Sequence, residues 1–139
     1  MIYFTSDLHL GHAKAIEFTN RPFSDVDEMN KALLRNINET VTEKDDLWIL
    51  GDFAYGIGRE EVRKFRNMIR CRQVHLINGN HDRNYSKDHI FQSVQDYKEL
   101  KTERLFCFII LYMNGMQGIM ELYIYMDISI LPGIIMRQI

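Results

Sequence analysis

Three short apolar runs in this chain each end in side chains that bind hard cations. Ile2-Tyr3-Phe4 leads into Thr5-Ser6-Asp7-Leu8-His9, Leu47-Trp48-Ile49-Leu50 into Gly51-Asp52, and Val74-His75-Leu76-Ile77 into Asn78-Gly79-Asn80-His81-Asp82. Carboxylate, amide oxygen and imidazole suit Mn²⁺, Fe or Zn²⁺ rather than a soft thiolate site. Asp7 and His9 lie two residues apart, and in extended backbone that spacing points both side chains the same way, as two ligands of one ion require. The pattern points to a metal centre fed from three places in the chain.

Residues delivered to one point need a frame. Runs of four to eight apolar residues bounded by Gly, Asn or Asp read as buried strands, and in open α/β sheets ligands sit beyond the carboxyl ends of the strands. Between the first two runs the pattern is helical. Ser24 can cap, Asp25, Asp27 and Glu28 favour the positive helix end, and Val26, Met29, Leu33 and Ile37 recur at threes and fours. A glycine-containing loop follows Asp52, and Val62, Phe65, Met68 and Ile69 then resume helical spacing. The opposite face of this second helix carries Arg59, Arg63, Lys64, Arg66 and Arg70. Those charges either steer an anionic substrate or form a solvated face paired with Glu60 and Glu61. In the third turn, Gly79 and its Asn neighbours tolerate positive φ. His75 and His89 read as packing or surface histidines.

The ordered set Asp7-Leu8-His9, Gly51-Asp52 and Gly79-Asn80-His81-Asp82 resembles the first three motifs of the calcineurin-like metallophosphoesterases. Asn20-Arg21-Pro22-Phe23 is similar to a small bacterial and phage-type branch of that family. The resemblance covers roughly the first three quarters of the chain. It implies an α/β fold, a two-sheet sandwich with helices outside, whose C-terminal part is incomplete here. It also implies hydrolysis of a phosphate mono- or diester at a site for two divalent metal ions, manganese first, with iron, zinc, magnesium or nickel admissible. Asp7 and His9 would hold the first ion, Asp52 would bridge, and Asn80 would hold the second. His81 would assist catalysis as proton donor or phosphate stabiliser, with Asp82 orienting it. His12 either contacts substrate or is a solvated loop histidine. The partner expected is a phosphate-ester small molecule or a nucleotide, with nucleic acid entering only as substrate.

At 139 residues the chain is long enough for one domain with a sizeable core. A formal net charge of -2 carries no basic excess to suggest nucleic-acid binding. Ser6 and Asp7 interrupt the first apolar run, so no signal peptide is expected, and Cys71 and Cys107 lack a CxxC spacing. Both features lead us to expect a cytoplasmic protein.

From Leu105 onward the composition changes. Charges thin to Glu121, Asp127 and Arg137, and no histidine follows His89, although the family pattern asks for a later His and a Gly-His-x-His. Asn114, Gly115, Gln117, Gly118 and Glu121 interrupt the ~20 apolar residues a membrane span needs. The stretch reads as strand-like and aggregation-prone. We therefore expect a metallophosphoesterase domain over residues 1–104 and an aberrant tail over 105–139, read as a frame-shifted remainder of the same domain. The genetic code supports the shift. Read from the third nucleotide of each codon, Met113-Asn114 forces Glu, while Met120-Glu121 and Met126-Asp127 each force Gly. Codons from Met120 to Ile130 then permit a string ending in Gly-His-Ile-His. The competing expectation is a catalytically impaired remnant; a nucleic-acid-binding module using the basic helix is more distant.

Overall fold

The computed structural model describes residues 1–102, 105–111, 122–124 and 134–136, with side chains described through Asp96. Strands β1 (Ile2–Thr5), β2 (Asp46–Leu50) and β3 (Gln73–Ile77) form on the three apolar runs. They pair in parallel, with Tyr3 opposite Leu47 and Leu47 opposite Val74. Short β4 (Ser93–Gln95) extends the sheet beyond β3, and β8 (Ile134–Met136) pairs with β1 on the other side, giving the order β4-β3-β2-β1-β8 among the described residues. Strands β5 (Tyr97–Thr102), β6 (Leu105–Leu111) and β7 (Leu122–Ile124) make a separate antiparallel sheet. Where it is described, the stretch from Leu105 is thus strand, as its composition suggests. Most of the codon-based reading falls on residues 112–121 and 125–133, outside the described residues.

Parallel strands need crossovers, and helices α1 (Ala13–Phe18), α2 (Val26–Thr40) and α3 (Arg59–Met68) supply them. The sheet's alternation decides what each crossover covers. Tyr3, Leu47, Ile49, Val74 and Leu76 on one face share a buried cluster with Met29, Leu33, Leu34 and Ile37 of α2 and Val62 of α3. Phe4, Trp48, Leu50 and Ile77 on the opposite face are buried too. Burial on both faces is what a parallel sheet requires. Trp48 stacks on His75, its register partner, at 4.2 Å between ring centres, and His75 Nδ1 lies 2.8 Å from Ser93 Oγ. His75 is therefore a packing residue, and His89 is exposed.

The start of α2 departs from expectation by one residue. Asp25, not Ser24, is the cap: extended at φ -153°, it accepts from the Glu28 N–H at 2.8 Å. Ser24 instead donates both its N–H (2.8 Å) and its hydroxyl (2.6 Å) to the Glu28 carboxylate. The Asp25 carboxylate, carried on extended backbone, closes the first turn, which leaves Ser24 to tie down Glu28. On α3, Val62 and the C-terminal Ile69 are buried as the spacing predicts, but Met68 turns outward. Its arginines are largely used within the fold: Arg59 and Arg63 bind Asp88, and Arg66 donates to the Ile69 and Arg72 carbonyls.

Candidate metal centre

The carboxyl ends of β1, β2 and β3 run into three loops, of which the first two bond to each other through their main chains and the third joins them through the side chains of Asp52 and Asp82. Asp7 N–H donates to Gly51 O (3.1 Å), His9 N–H to Asp52 O (2.9 Å), Leu10 N–H to Phe53 O (3.1 Å), and Tyr55 N–H back to Leu10 O (3.1 Å). The parallel ladder thus continues past the strands. It carries ligating atoms of Asp7, His9 and Asp52 to within 4.8 Å of one another.

The backbone that achieves this is not extended. Asp7 (φ 53°), His9 (φ 51°) and Asp52 (φ 53°) all sit in the left-handed region, with Gly51 beside them at φ 87°. Asp7 and His9 converge because each is turned by its own positive φ, which corrects the extended-strand reading of their spacing. Conversely, no residue of the Asn78–His81 turn has positive φ. Gly79 is needed there for a different reason: a Cβ on it would lie 2.5 Å from Asp52 N and 2.9 Å from Gly51 Cα, and closer still to Asp52 Oδ1. Two main chains approach too closely for any side chain to fit between them.

Asp52 is buried, and its Oδ1 accepts the His81 N–H at 3.0 Å. His9 Nε2 stands 3.6 Å from Asp52 Oδ2 and 3.8 Å from Asp7 Oδ1. Burial lowers the His9 pKa, against the opposing pull of Asp52 and Asp7. The imidazole is thereby held in the neutral form that ligates metals. Asp82 does not orient the His81 ring as expected. Its Oδ2 accepts from the N–H groups of Asp52 (2.7 Å) and Gly79 (2.9 Å), and its Oδ1 from Phe53 N–H (3.0 Å). A carboxylate so engaged braces the loop that carries Asp52, while burial pushes its pKa up to about 6.

An aromatic rim flanks Asp7, His9 and Asp52. The His81 ring lies 5.8 Å from that of His9 and 4.9 Å, edge-on, from that of Tyr55. His12 packs on Tyr55 at 4.1 Å and sets its Nδ1 3.5 Å from that of His9. The fold thus brings His12 and His81 beside Asp7, His9 and Asp52, and leaves Asn80 exposed on the neighbouring turn. Three contributors escaped sequence reasoning. Tyr55 sits in a loop whose spacing says nothing of its neighbours. Asn30, buried on α2, accepts the Gly11 N–H at 3.1 Å. Arg21 was visible as part of a motif, without a role.

A cluster of two carboxylates and one imidazole fits a hard or borderline divalent cation, and the glycine cradle at Gly79 keeps the Asp52 carboxylate where it can serve. Among the described residues no helix is long and apolar enough to cross a membrane. The chain is 40% identical over 84 residues to an uncharacterized protein of Methanocaldococcus jannaschii, a match covering 59% of this chain and 47% of that protein. It is 36% identical over 81 residues to the Gene 66 protein of Mycobacterium phage L5, covering 58% of this chain and 39% of the phage protein. The corresponding protein of phage D29 is 39% identical over 83 residues, 59% of this chain and 40% of its own length. The chain therefore spans less than half the length of these curated relatives. The crystal structure of a protein of unknown function from Aquifex aeolicus superimposes with a TM-score of 0.66 at 26% identity, covering 81% of this chain and 60% of the other. The family profile described as calcineurin-like phosphoesterase matches residues 1–134, and with the three strand-end loops in place, the chain belongs to that family of phosphate-ester hydrolases.

Proposed function

We propose that this chain is a metal-dependent phosphoesterase acting on a phosphate mono- or diester of a small molecule or nucleotide, in the cytoplasm. The observation that carries the reading is the convergence of Asp7, His9 and Asp52 within 4.8 Å at the carboxyl end of a parallel sheet. Asp7 and His9 would hold one divalent ion, Asn80 a second, and Asp52 both. Manganese is the first choice, with iron, zinc, magnesium or nickel also suited to oxygen and imidazole donors. Bound there, the ions supply the positive charge that a phosphoryl group needs as it is attacked.

The protein's own groups supply the rest. The exposed His81 imidazole, fixed through its main-chain bond to Asp52, donates a proton to the leaving oxygen or stabilises the charge that develops. Asp82 keeps the Asp52 loop in register, and His12, against Tyr55, faces the substrate. Hydrolysis of an aryl phosphate diester by the full chain loaded with Mn²⁺, abolished by Asp52→Ala, tests the reading. Mn²⁺-loaded protein with no turnover above the Asp52→Ala background refutes it.

A second reading rests on the sequence having no histidine after His89. The chain would then be an impaired remnant, with residues 1–104 forming the domain and 105–139 its frame-shifted remainder. Codons for Met120 to Ile130 that fail to encode a histidine-rich string in the shifted frame end that reading.

A further inference from the structure

We propose that Arg21 is a positioning residue for the metal site, holding the Asp7–His9 loop in its ligating shape through main-chain carbonyls. The inference rests on the metal-site reading above. It assigns a task to Arg21 in the Asn20-Arg21-Pro22-Phe23 segment, of which Phe23 packs against the core.

The chain places Arg21 by a tight reversal. Helix α1 ends as Thr19 N–H returns to Ala15 O (3.1 Å) and the Thr19 hydroxyl donates to the same carbonyl (2.6 Å). Asn20 then adopts φ 51°, the left-handed conformation with which Asn often ends a helix, and Arg21 N–H closes onto Ile16 O at 2.9 Å. This turn sends the Arg21 side chain back to the first ligand loop. Nη2 donates to Asp7 O at 2.6 Å, Nη1 to Leu8 O at 2.9 Å, and Nε to Thr19 Oγ1 at 3.1 Å. A planar fork with fixed donor directions spans two successive carbonyls in a way that a point charge on a flexible stem does not.

The loop needs such a grip. Two non-glycine residues of one short segment, Asp7 and His9, stand in the left-handed region, and such conformations persist only where the surroundings over-determine them. The N–H groups of Asp7, His9 and Leu10 are held by the Gly51–Phe53 loop. Arg21 takes the carbonyls of Asp7 and Leu8, so the segment is held from both sides. Attraction to the Asp7 carboxylate accompanies this placement, but a guanidinium beside a cation site also repels what the site is to bind. Its task is the geometry it imposes.

The test uses the full chain and the variants Arg21→Gln, Arg21→Lys and Arg66→Gln. Arg66 also donates to two main-chain carbonyls, but at the far end of α3, and serves as the structural control. Amide hydrogen exchange of the metal-free proteins and Mn²⁺ affinity by calorimetry are the readouts. In Arg21→Gln the amides of Asp7, His9 and Leu10 exchange about tenfold faster while those of Leu47–Leu50 keep wild-type rates. Mn²⁺ binds roughly 10–100-fold more weakly, the usual effect of removing a partner that orients a ligand. Arg21→Lys matches Arg21→Gln in both readouts, and Arg66→Gln leaves both at wild-type values. Wild-type exchange at residues 7–10 in Arg21→Gln, an equal rise across β2, or full rescue by Lys overturns the proposal. Exchange requires no metal, so wild-type protein that bound no Mn²⁺ would refute the metal-site reading while the exchange rates still decided the role of Arg21 in shaping the loop.

Discussion

Replacing Gly79 with alanine tests the close approach of its main chain to the Gly51–Asp52 loop. The added Cβ would stand 2.5 Å from Asp52 N and 2.9 Å from Gly51 Cα, so the two loops must part by roughly 1 Å to reach ordinary contact. Neither contact is a flexible side-chain end, and the strain falls on the backbone. Forcing a close-packed region apart costs about 1–3 kcal/mol. The same movement stretches the bonds of Asp82 to the N–H groups of Asp52 and Phe53, now 2.7 and 3.0 Å. Losing one charge-assisted bond adds about 1.5–3 kcal/mol. A total near ~4 kcal/mol should lower the melting temperature by on the order of 10 °C in a chain of this size. Because Asp52 moves with its loop, Mn²⁺ affinity should fall by roughly 10–100-fold. Thermal denaturation without metal and calorimetric titration of Mn²⁺ read the two effects separately. Gly58→Ala is the control, since nothing lies within 4 Å of the Cβ it would gain. A Gly79→Ala protein that melts and binds Mn²⁺ like Gly58→Ala would refute the steric argument.

Other perturbations reach the ligands and the frame. Asp52→Ala should remove bound metal and all activity, with Asp7→Ala less damaging; equal metal content in Asp52→Ala and wild type by elemental analysis would exclude Asp52 as the shared ligand. His81→Ala should leave metal content nearly intact and lower turnover by ~10²–10⁴, the worth of a positioned proton-transfer group, whereas a parallel loss of metal would make His81 a ligand. Asp45 is held down to about 2 by the Met1 ammonium first and then by Thr42. A folded pKa below the unfolded value of about 3.9 means that its contribution is fully present above that value and is lost as pH falls toward 2. The urea midpoints of wild type and Asp45→Asn should therefore differ at pH 6 and converge as the pH approaches 2; a difference independent of pH would refute this assignment.

Much of this arrangement can be read without coordinates, and the parts that cannot share a cause. Leu47-Trp48-Ile49-Leu50 is apolar on both faces, and Val74-His75-Leu76-Ile77 is so but for His75, so burial makes them central parallel strands. A carboxylate two residues past such a strand falls at the sheet's carboxyl edge, and Asp7 and Asp52 were legible for that reason. The braces were not legible. Arg21 and Asp82 act through main-chain carbonyls and N–H groups, which every residue possesses, so no side-chain pattern records what they hold. Gly79 was legible as a glycine, but its task is to let two backbones meet and not to supply positive φ. Asn30 shares a helix face with apolar neighbours and looks like an interruption until Gly11 is placed against it.

The three left-handed residues also constrain what heredity can do with this site. Asp, Asn and His are the non-glycine residues that enter that conformation most readily, and they are also oxygen and imidazole donors. At positions 7, 9 and 52 the backbone therefore accepts much the same small alphabet that a divalent ion would accept. Exchanges within that alphabet can retune ion preference in single steps while the loops keep their course. Glutamate and the β-branched residues meet a conformational barrier there before any question of coordination arises.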